Sequence, residues 1–335
     1  MRTPAFWLAQ RPSALARMLQ PFGALYGAFV ARRMRQQGAR PGAPAIVVGN
    51  FVAGGAGKTP AALEIARLLE ARGERIAFVS RGYGGAAGGG PLRVDGQGAS
   101  EVGDEALLLA RAAPTFICAD RAAAAALAVA GAGPSALIFD DGLQSRQVEP
   151  DLAVAVVDGA TGLGNGLCLP AGPLRAPLAA QLPHVQAVII VGPGQAGEAV
   201  AAQVAKHGVK ILRARLEADA RAHALAGHDV VAFAGIGLPD KFFRTLEEIG
   251  ARIVERRAFP DHYPYRATDI DELAALARER NARLVTTHKD AVRLPPLPES
   301  TQALLVIPVR LVFENEEEAV ALLAEGLARA RPWKR

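Results

Sequence analysis

The stretch that decides the fold is Ala45-Ile46-Val47-Val48-Gly49-Asn50-Phe51-Val52-Ala53-Gly54-Gly55-Ala56-Gly57-Lys58-Thr59-Pro60. Ala45 to Val48 read as a short buried strand. Closely spaced glycines follow, and from Pro60 to Arg72 apolar residues recur at helical spacing until Gly73 closes the segment. A strand that passes through glycines into a helix lets backbone N–H groups turn around phosphate oxygens, with the positive end of the helix dipole behind them. Val52, Ala53, Gly54, Gly55, Ala56, Gly57, Lys58 and Thr59 are therefore read as a nucleotide-phosphate loop. In that loop Lys58 neutralises the β- and γ-phosphates of ATP, and the Thr59 hydroxyl ligates Mg2+. Val52 stands where the strict pattern has glycine, so the loop is of the Gly-Gly-x-Gly-Lys-Thr variety. Pro60 opens the helix, where the missing N–H has no partner to lose.

Outward from the loop, strand signals alternate with helical ones. Strands are expected at Arg75–Ser80, Thr115–Ala119, Ala136–Phe139, Ala153–Val157, Val185–Val191 and Lys210–Leu216, with helices at Asp104–Ala112 and Arg121–Ala130. The alternation implies an α/β fold of P-loop NTPase type, a doubly wound parallel sheet whose ligands sit beyond the carboxyl ends of the strands. From Asp229 the pattern restarts with strands at Val230–Ala234, Ile253–Arg256 and Leu284–Thr287 and helices at Asp240–Ile249, Asp269–Arg280 and Glu316–Ala330. The expected organisation is an N-terminal segment at 1–40, a P-loop kinase domain at 41–216, a hinge at 217–228 and a smaller α/β domain at 229–335.

Asp140-Asp141 ends an apolar strand, where P-loop enzymes hold the magnesium aspartate, although strand ends also favour aspartate as a turn former. Asp104-Glu105 opens a helix. Capping explains it, and so does a carboxylate that accepts the proton of an attacking hydroxyl. His262, in Phe259-Pro260-Asp261-His262-Tyr263, and Arg81, in Arg81-Gly82-Tyr83-Gly84-Gly85, are each ambiguous between a site role and a solvated loop.

The charge is unevenly placed. Of 38 Lys and Arg, eight (Arg2, Arg11, Arg17, Arg32, Arg33, Arg35, Arg40 and Lys58) precede Glu64, the first acidic residue, which leaves 30 basic against 33 acidic residues. Basicity confined to one end argues against a nucleic-acid face and points to anionic lipid. Leu15, Met18, Leu19, Phe22, Leu25, Tyr26, Phe29 and Val30 fall on one helical stripe among those arginines, with a kink expected at Pro21. The apolar run is too short to span a bilayer, and Arg32-Arg33-Met34-Arg35 replaces any small-residue cleavage site. A helix lying in the membrane interface and a helix packed on the core both remain open. Cys118 and Cys168 form no metal or disulfide pattern and read as free thiols.

Taken in order, these motifs resemble the tetraacyldisaccharide 4'-kinase family, the lipid A 4'-kinases of Gram-negative bacteria. The matches are Gly54-Gly55-Ala56-Gly57-Lys58-Thr59-Pro60, Ser80-Arg81-Gly82-Tyr83-Gly84, Gly103-Asp104-Glu105 and Asp140-Asp141-Gly142-Leu143-Gln144. They continue through Leu169-Pro170-Ala171-Gly172-Pro173-Leu174-Arg175, Phe233-Ala234-Gly235-Ile236-Gly237, Phe259-Pro260-Asp261-His262 and Thr286-Thr287-His288-Lys289-Asp290-Ala291. The resemblance implies ATP-dependent phosphorylation of the 4'-hydroxyl of a tetraacylated glucosamine disaccharide 1-phosphate, in a cleft between two domains. The enzyme would sit at the cytoplasmic face of the inner membrane, on anionic lipid, with no protein partner called for. It also implies that Asp104 is the catalytic base with His262 as its partner, and that Asp141, Asp140 and Thr59 form the magnesium site, with Glu105 a further participant. Lys58 and Asp141 complete the implied catalytic set. Val52 and Ala56 replace hydroxyl residues common in the loop, and Ser145 and Ala176 replace His and Glu.

A membrane-associated ATPase switch with the same loop type is the main rival. The absence of Asn-Lys-x-Asp removes the guanine-specific version, and a switch gives no reason for Asp261-His262 in a second domain.

Overall fold

The computed structural model describes residues 4–9, 11–85, 89–296 and 304–330, so the extreme ends of the 1–40 and 229–335 segments lie outside the described residues. Among the described residues, thirteen strands form two sheets. They are β1 (Ala45–Gly49), β2 (Ile76–Ser80), β3 (Leu92–Arg93), β4 (Thr115–Ile117), β5 (Ala136–Asp140), β6 (Leu152–Asp158), β7 (Ala187–Val191), β8 (Lys210–Ala218), β9 (Asp229–Ala234), β10 (Arg252–Ala258), β11 (Arg283–Thr287), β12 (Leu305–Ile307) and β13 (Val309–Phe313).

The large sheet has the order β13-β8-β7-β6-β1-β5-β2-β4-β3 and is parallel from β8 to β4, with an antiparallel strand at each edge. Its central strands are buried on both faces, as their unbroken apolar runs require. One face is covered by helices Lys58–Glu70 and Glu316–Ala330, the other by Arg121–Ala132 and Gln195–Ala205. β1 lies between β5 and β6, so the glycine loop leaves the sheet where the strand order reverses, which is where doubly wound sheets open a ligand crevice.

The small sheet, β10-β9-β11-β12, is wholly parallel. The expected C-terminal unit at 229–335 differs in one respect. After β12 the chain returns to the large sheet: β13 pairs with β8, and helix Glu316–Ala330 packs on the same core as the phosphate-loop helix. Arg310 on β13 forms a two-point ion pair with the buried Glu64 of the phosphate-loop helix, at 2.8 and 2.9 Å. The hinge expected at 217–228 begins inside β8 and ends just before β9.

Helix Ala14–Met34 runs through Pro21 with no break. It packs through small residues rather than through the expected stripe. A Cβ at Gly23 would lie 2.6 Å from Cys168 O, and one at Gly27 would lie 2.8 Å from Cys168 Sγ. Val30 is buried with Met34 and Ala176, whereas Leu15, Met18, Phe22, Leu25, Tyr26 and Phe29 are exposed. The stripe therefore divides, with Val30 on the protein and most of the rest on the outside. Among the described residues no helix is long and apolar enough to cross a membrane.

Candidate active site

The glycine loop closes against the segment Pro173–Arg175. Ala53 N donates to Pro173 O at 2.7 Å, Arg175 N to Phe51 O at 2.9 Å, and Arg175 Nε to Val52 O at 3.1 Å. Gly57 holds φ 89°, a left-handed turn that a side chain would strain, at the N-cap of helix Lys58–Glu70. Lys58 lies over the loop, its Nζ 3.4 Å from Gly54 O and 4.0 Å from Asp141 Oδ1. Ala56 is buried in the core and Val52 bridges to Leu174, so both departures from a hydroxyl are absorbed by apolar packing.

Thr59 and Asp140, 81 residues apart, meet because β1 and β5 are neighbours in register. Thr59 Oγ1 donates to Asp140 Oδ2 at 3.2 Å. The other oxygen, Oδ1, is buried with no partner. Burial, and then the nearby charge of Glu105, push Asp140 up to about 7 against the pull of Lys58. Asp141 faces elsewhere. At φ 56° it turns its carboxylate to Arg175, accepting from Nη1 at 2.8 Å and Nη2 at 3.0 Å. Burial would raise its pKa, but Arg175, Lys58 and Arg121 outweigh that and hold it below the usual carboxylate range. The second aspartate of the pair thus braces the loop's supporting segment, and the first points at Thr59.

Asp104 begins its helix directly after Gly103, whose φ of 86° and close approach to Tyr83 O (2.3 Å from a Cβ built there) leave no room for a side chain. Asp104 is 3% exposed. Its Oδ2 lies 2.9 Å from His262 Nδ1, 3.7 Å from Arg293 Nε and 3.8 Å from Lys289 Nζ, all three from the small-sheet unit. Burial raises its pKa, and the His262 hydrogen bond with the charges of Lys289 and Arg293 overcomes it, so the group stays below the usual range and is a carboxylate at neutral pH. Glu105 accepts from Lys289 Nζ at 3.2 Å.

His262 is held in the left-handed region at φ 59°, its N donating to Gly235 O at 3.1 Å, with the Tyr83 ring edge-on at 6.3 Å. Its own loop is fixed by the buried Asp290, which accepts from Gly235 N, the Tyr265 hydroxyl and Arg293 Nη2 at 2.8, 2.8 and 2.6 Å. Lys289, Arg293 and Arg175 are contacts that sequence reasoning did not single out. Lys289 and Arg175 do lie inside quoted motifs, and that is the signal that could have found them. Among the described residues no three His, Cys, Asp or Glu side chains form a metal cage. A P-loop cation needs none, because phosphate and water supply most of its shell.

The profile of the family described as Tetraacyldisaccharide-1-P 4'-kinase matches residues 15–328. A tetraacyldisaccharide 4'-kinase from Methylobacterium nodulans is 53% identical over 335 residues, covering 99% of this chain and 97% of its own length. One from Rhodopseudomonas palustris is 46% identical over 335 residues, covering 99% and 98%. In three dimensions the chain is similar to the crystal structure of LpxK from Aquifex aeolicus in complex with ATP, with a TM-score of 0.74 and 25% identity over 93% of this chain and 99% of that one.

Proposed function

The chain belongs to the tetraacyldisaccharide-1-P 4'-kinase family, and from that premise we propose that it moves the terminal phosphoryl group of ATP onto the 4'-hydroxyl of a tetraacylated glucosamine disaccharide 1-phosphate. It is a lipid kinase of lipid A biosynthesis, a phosphotransferase with an alcohol as acceptor. The observation that carries the residue roles is the position of Asp104-Glu105. Asp104 meets His262 and Lys289 across the cleft, and Glu105 is close enough to the phosphate-loop side to raise Asp140.

In this reading the Gly54–Thr59 loop and Lys58 hold the β- and γ-phosphates. Asp104 takes the proton of the 4'-hydroxyl as the new O–P bond forms and the bond to the β-phosphate oxygen breaks, releasing ADP. His262 orients Asp104 and shares that proton. Mg2+ fits the residues present: a buried carboxylate oxygen without a partner beside a threonine hydroxyl is a donor pair in want of a cation. Thr59 and Asp140 would hold it, with Glu105 facing them and Asp141 kept on Arg175. When bound it offsets charge on the bridging phosphate oxygens. The two units already meet at the His262–Asp104 contact, and the segment 217–228 joins them.

The exposed apolar residues of helix Ala14–Met34, with Arg17, Arg32, Arg33 and Arg35 among them, support peripheral attachment to anionic lipid at the cytoplasmic face of the inner membrane. The test is transfer from labelled ATP. Label in the 4'-phosphate of the acylated disaccharide is expected. Release of free phosphate with no labelled lipid would make the chain an ATPase switch.

A further inference from the structure

Arg293 follows β11 and the short helix His288–Ala291, and its side chain is 5% exposed. Each of its three nitrogens is engaged. Nη2 donates to Gly235 O at 2.9 Å and to the buried Asp290 Oδ1 at 2.6 Å, Nη1 to Tyr263 O at 3.3 Å, and Nε to Lys289 O at 3.4 Å. Nε also lies 3.7 Å from Asp104 Oδ2, and the guanidinium carbon lies 5.7 Å from the centre of the Tyr265 ring.

Two of these acceptors hold His262 from either side. Gly235 O accepts from Arg293 Nη2 at 2.9 Å and from His262 N at 3.1 Å, and Tyr263 O belongs to the next residue in the chain. His262 sits at φ 59°, where a residue other than glycine stays only if its surroundings fix it. Its placement matters because the ring stands between two carboxylates. Nδ1 is 2.9 Å from Asp104 Oδ2 and Nε2 is 3.7 Å from Asp261 Oδ2, so a small tilt of the loop would change which of them the ring serves. Lys289 Nζ, by contrast, lies 3.8 Å from Asp104 Oδ2 and donates to Glu105 Oε1 at 3.2 Å, meeting the carboxylates and leaving the histidine backbone to Arg293. A planar guanidinium can hold several acceptors at fixed angles, which an ammonium on a flexible stem cannot.

We infer that Arg293 is a positioning residue for the phosphoryl transfer, whose fork seats the histidine loop so that His262 meets Asp104 rather than Asp261. This rests on the kinase reading and deepens it. The four residues to which Arg293 donates, Gly235, Tyr263, Lys289 and Asp290, all belong to the small-sheet unit, and across the cleft it faces Asp104. Its work is therefore on the side of the base and not of the phosphate loop. A misplacement of about 1 Å at a reacting group costs on the order of 10²-fold in rate, so a residue that touches no substrate can still set the speed of transfer.

The test is Arg293→Lys, which keeps a cation beside Asp290 and Asp104 but removes the fork. With the acylated disaccharide in mixed micelles, kcat should fall by about 10–100-fold while KM for ATP is unchanged. In the His262→Asn background the same substitution should cost nothing further, because no ring is left to place. Asp290→Asn keeps an acceptor for Gly235 N and loses the charge that seats Arg293, so it should copy both results, and it decides if Arg293→Lys does not fold. Near-normal kcat in Arg293→Lys overturns the proposal and leaves Arg293 as a charge beside Asp104. An equal loss with and without His262 overturns it too, since a residue that only supports the fold would give that. A raised KM for ATP at unchanged kcat moves Arg293 to the nucleotide. Should neither variant fold, the network is structural and the proposal falls. A wild type that labels no lipid is a different result, and it sinks the kinase reading itself.

Discussion

His262 Nδ1 lies 2.9 Å from Asp104 Oδ2, although 158 residues separate them and the helix of one and the loop of the other flank different sheets. The contact depends on two unusual turns. Gly103 holds φ 86° to start the Asp104 helix, and His262 itself holds φ 59°. A left-handed residue other than glycine costs on the order of 1–3 kcal/mol and persists where the surroundings over-determine it. Here the Asp290 network does so, fixing Gly235, Tyr265 and Arg293 around the histidine loop.

Asp104→Asn should lower turnover by roughly 10²–10⁴-fold, the usual worth of a positioned base, with ATP affinity little changed. On the proposal that His262 acts through Asp104, the double variant with His262→Asn should be no slower than Asp104→Asn alone. Single-turnover rates and ATP binding measured on the same samples check both statements. Loss of ATP binding in Asp104→Asn would move the residue to the nucleotide site.

Lys58→Ala should cost about 10²–10³-fold in kcat, as removal of a preorganised charge at a transferring group does. The Lys58 side chain is 11% exposed and rests on the loop it serves, so thermal stability should change little. Near-normal turnover would remove the loop from the phosphates.

Asp140, pushed up to about 7, gives two pH dependences of opposite kind. A cation at Thr59 and Asp140 must displace a proton below that pH, so the magnesium needed for half-maximal turnover should rise about tenfold per unit of pH below 7 and level off above it. In the nucleotide-free protein the folded state keeps a proton that the unfolded chain, titrating near 3.8, has given up. The contribution of this group to stability is therefore lost as pH rises between those values. Magnesium titrations and melting curves over that window test it, and Asp140→Asn should flatten both profiles.

Gly23→Val should lift the helix Ala14–Met34 off the body, since the obstructing atom is the Cys168 backbone carbonyl oxygen, 2.6 Å from the new Cβ, and cannot swing away. Overpacking of this kind costs about 1–3 kcal/mol. Faster proteolysis within residues 14–34, with ATP binding retained, is the expected outcome. A helix as protected as in wild type would mean that it is not seated on Cys168.

What the sequence made legible was local. The loop at Gly54–Thr59, the strand end at Asp140 and the helix start at Asp104 each follow from a period or a turn contained within about ten residues, and each stands where expected. Contacts between distant segments left no such trace. Lys289 reaches Glu105 over 184 residues, and Arg175 reaches Asp141 over 34, with no periodicity to announce either. The return of β13 to the large sheet was hidden for the same reason, because the Arg310–Glu64 pair that helps hold it spans 246 residues. On the N-terminal helix the period revealed an apolar stripe but not which side meets the protein. That was decided by Gly23 and Gly27, whose missing side chains admit the 168–177 segment.

The outer face of that helix carries the last prediction. Phe22, Leu25 and Phe29 are 64%, 73% and 67% exposed, too much apolar surface in one line for water alone. The acceptor's acyl chains favour staying in the bilayer, because withdrawing them costs about 0.8 kcal/mol per CH₂, so the protein must come to the lipid. Each large side chain that enters the interface contributes up to about 1.5–3 kcal/mol, and each arginine near an anionic surface on the order of 1 kcal/mol. Replacing Phe22, Leu25 and Phe29 by Ser should abolish binding to phosphatidylglycerol-containing vesicles while leaving the melting temperature unchanged or higher, because no internal packing is lost. Arg32→Gln with Arg35→Gln should weaken binding to those vesicles and leave binding to neutral phosphatidylcholine vesicles alone, and added salt should do the same to wild type. Activity on micellar acceptor should survive the serine variant better than activity on acceptor held in vesicles. A serine variant that binds vesicles like wild type would remove the helix from the membrane. One that unfolds would show that this face packs on the protein after all.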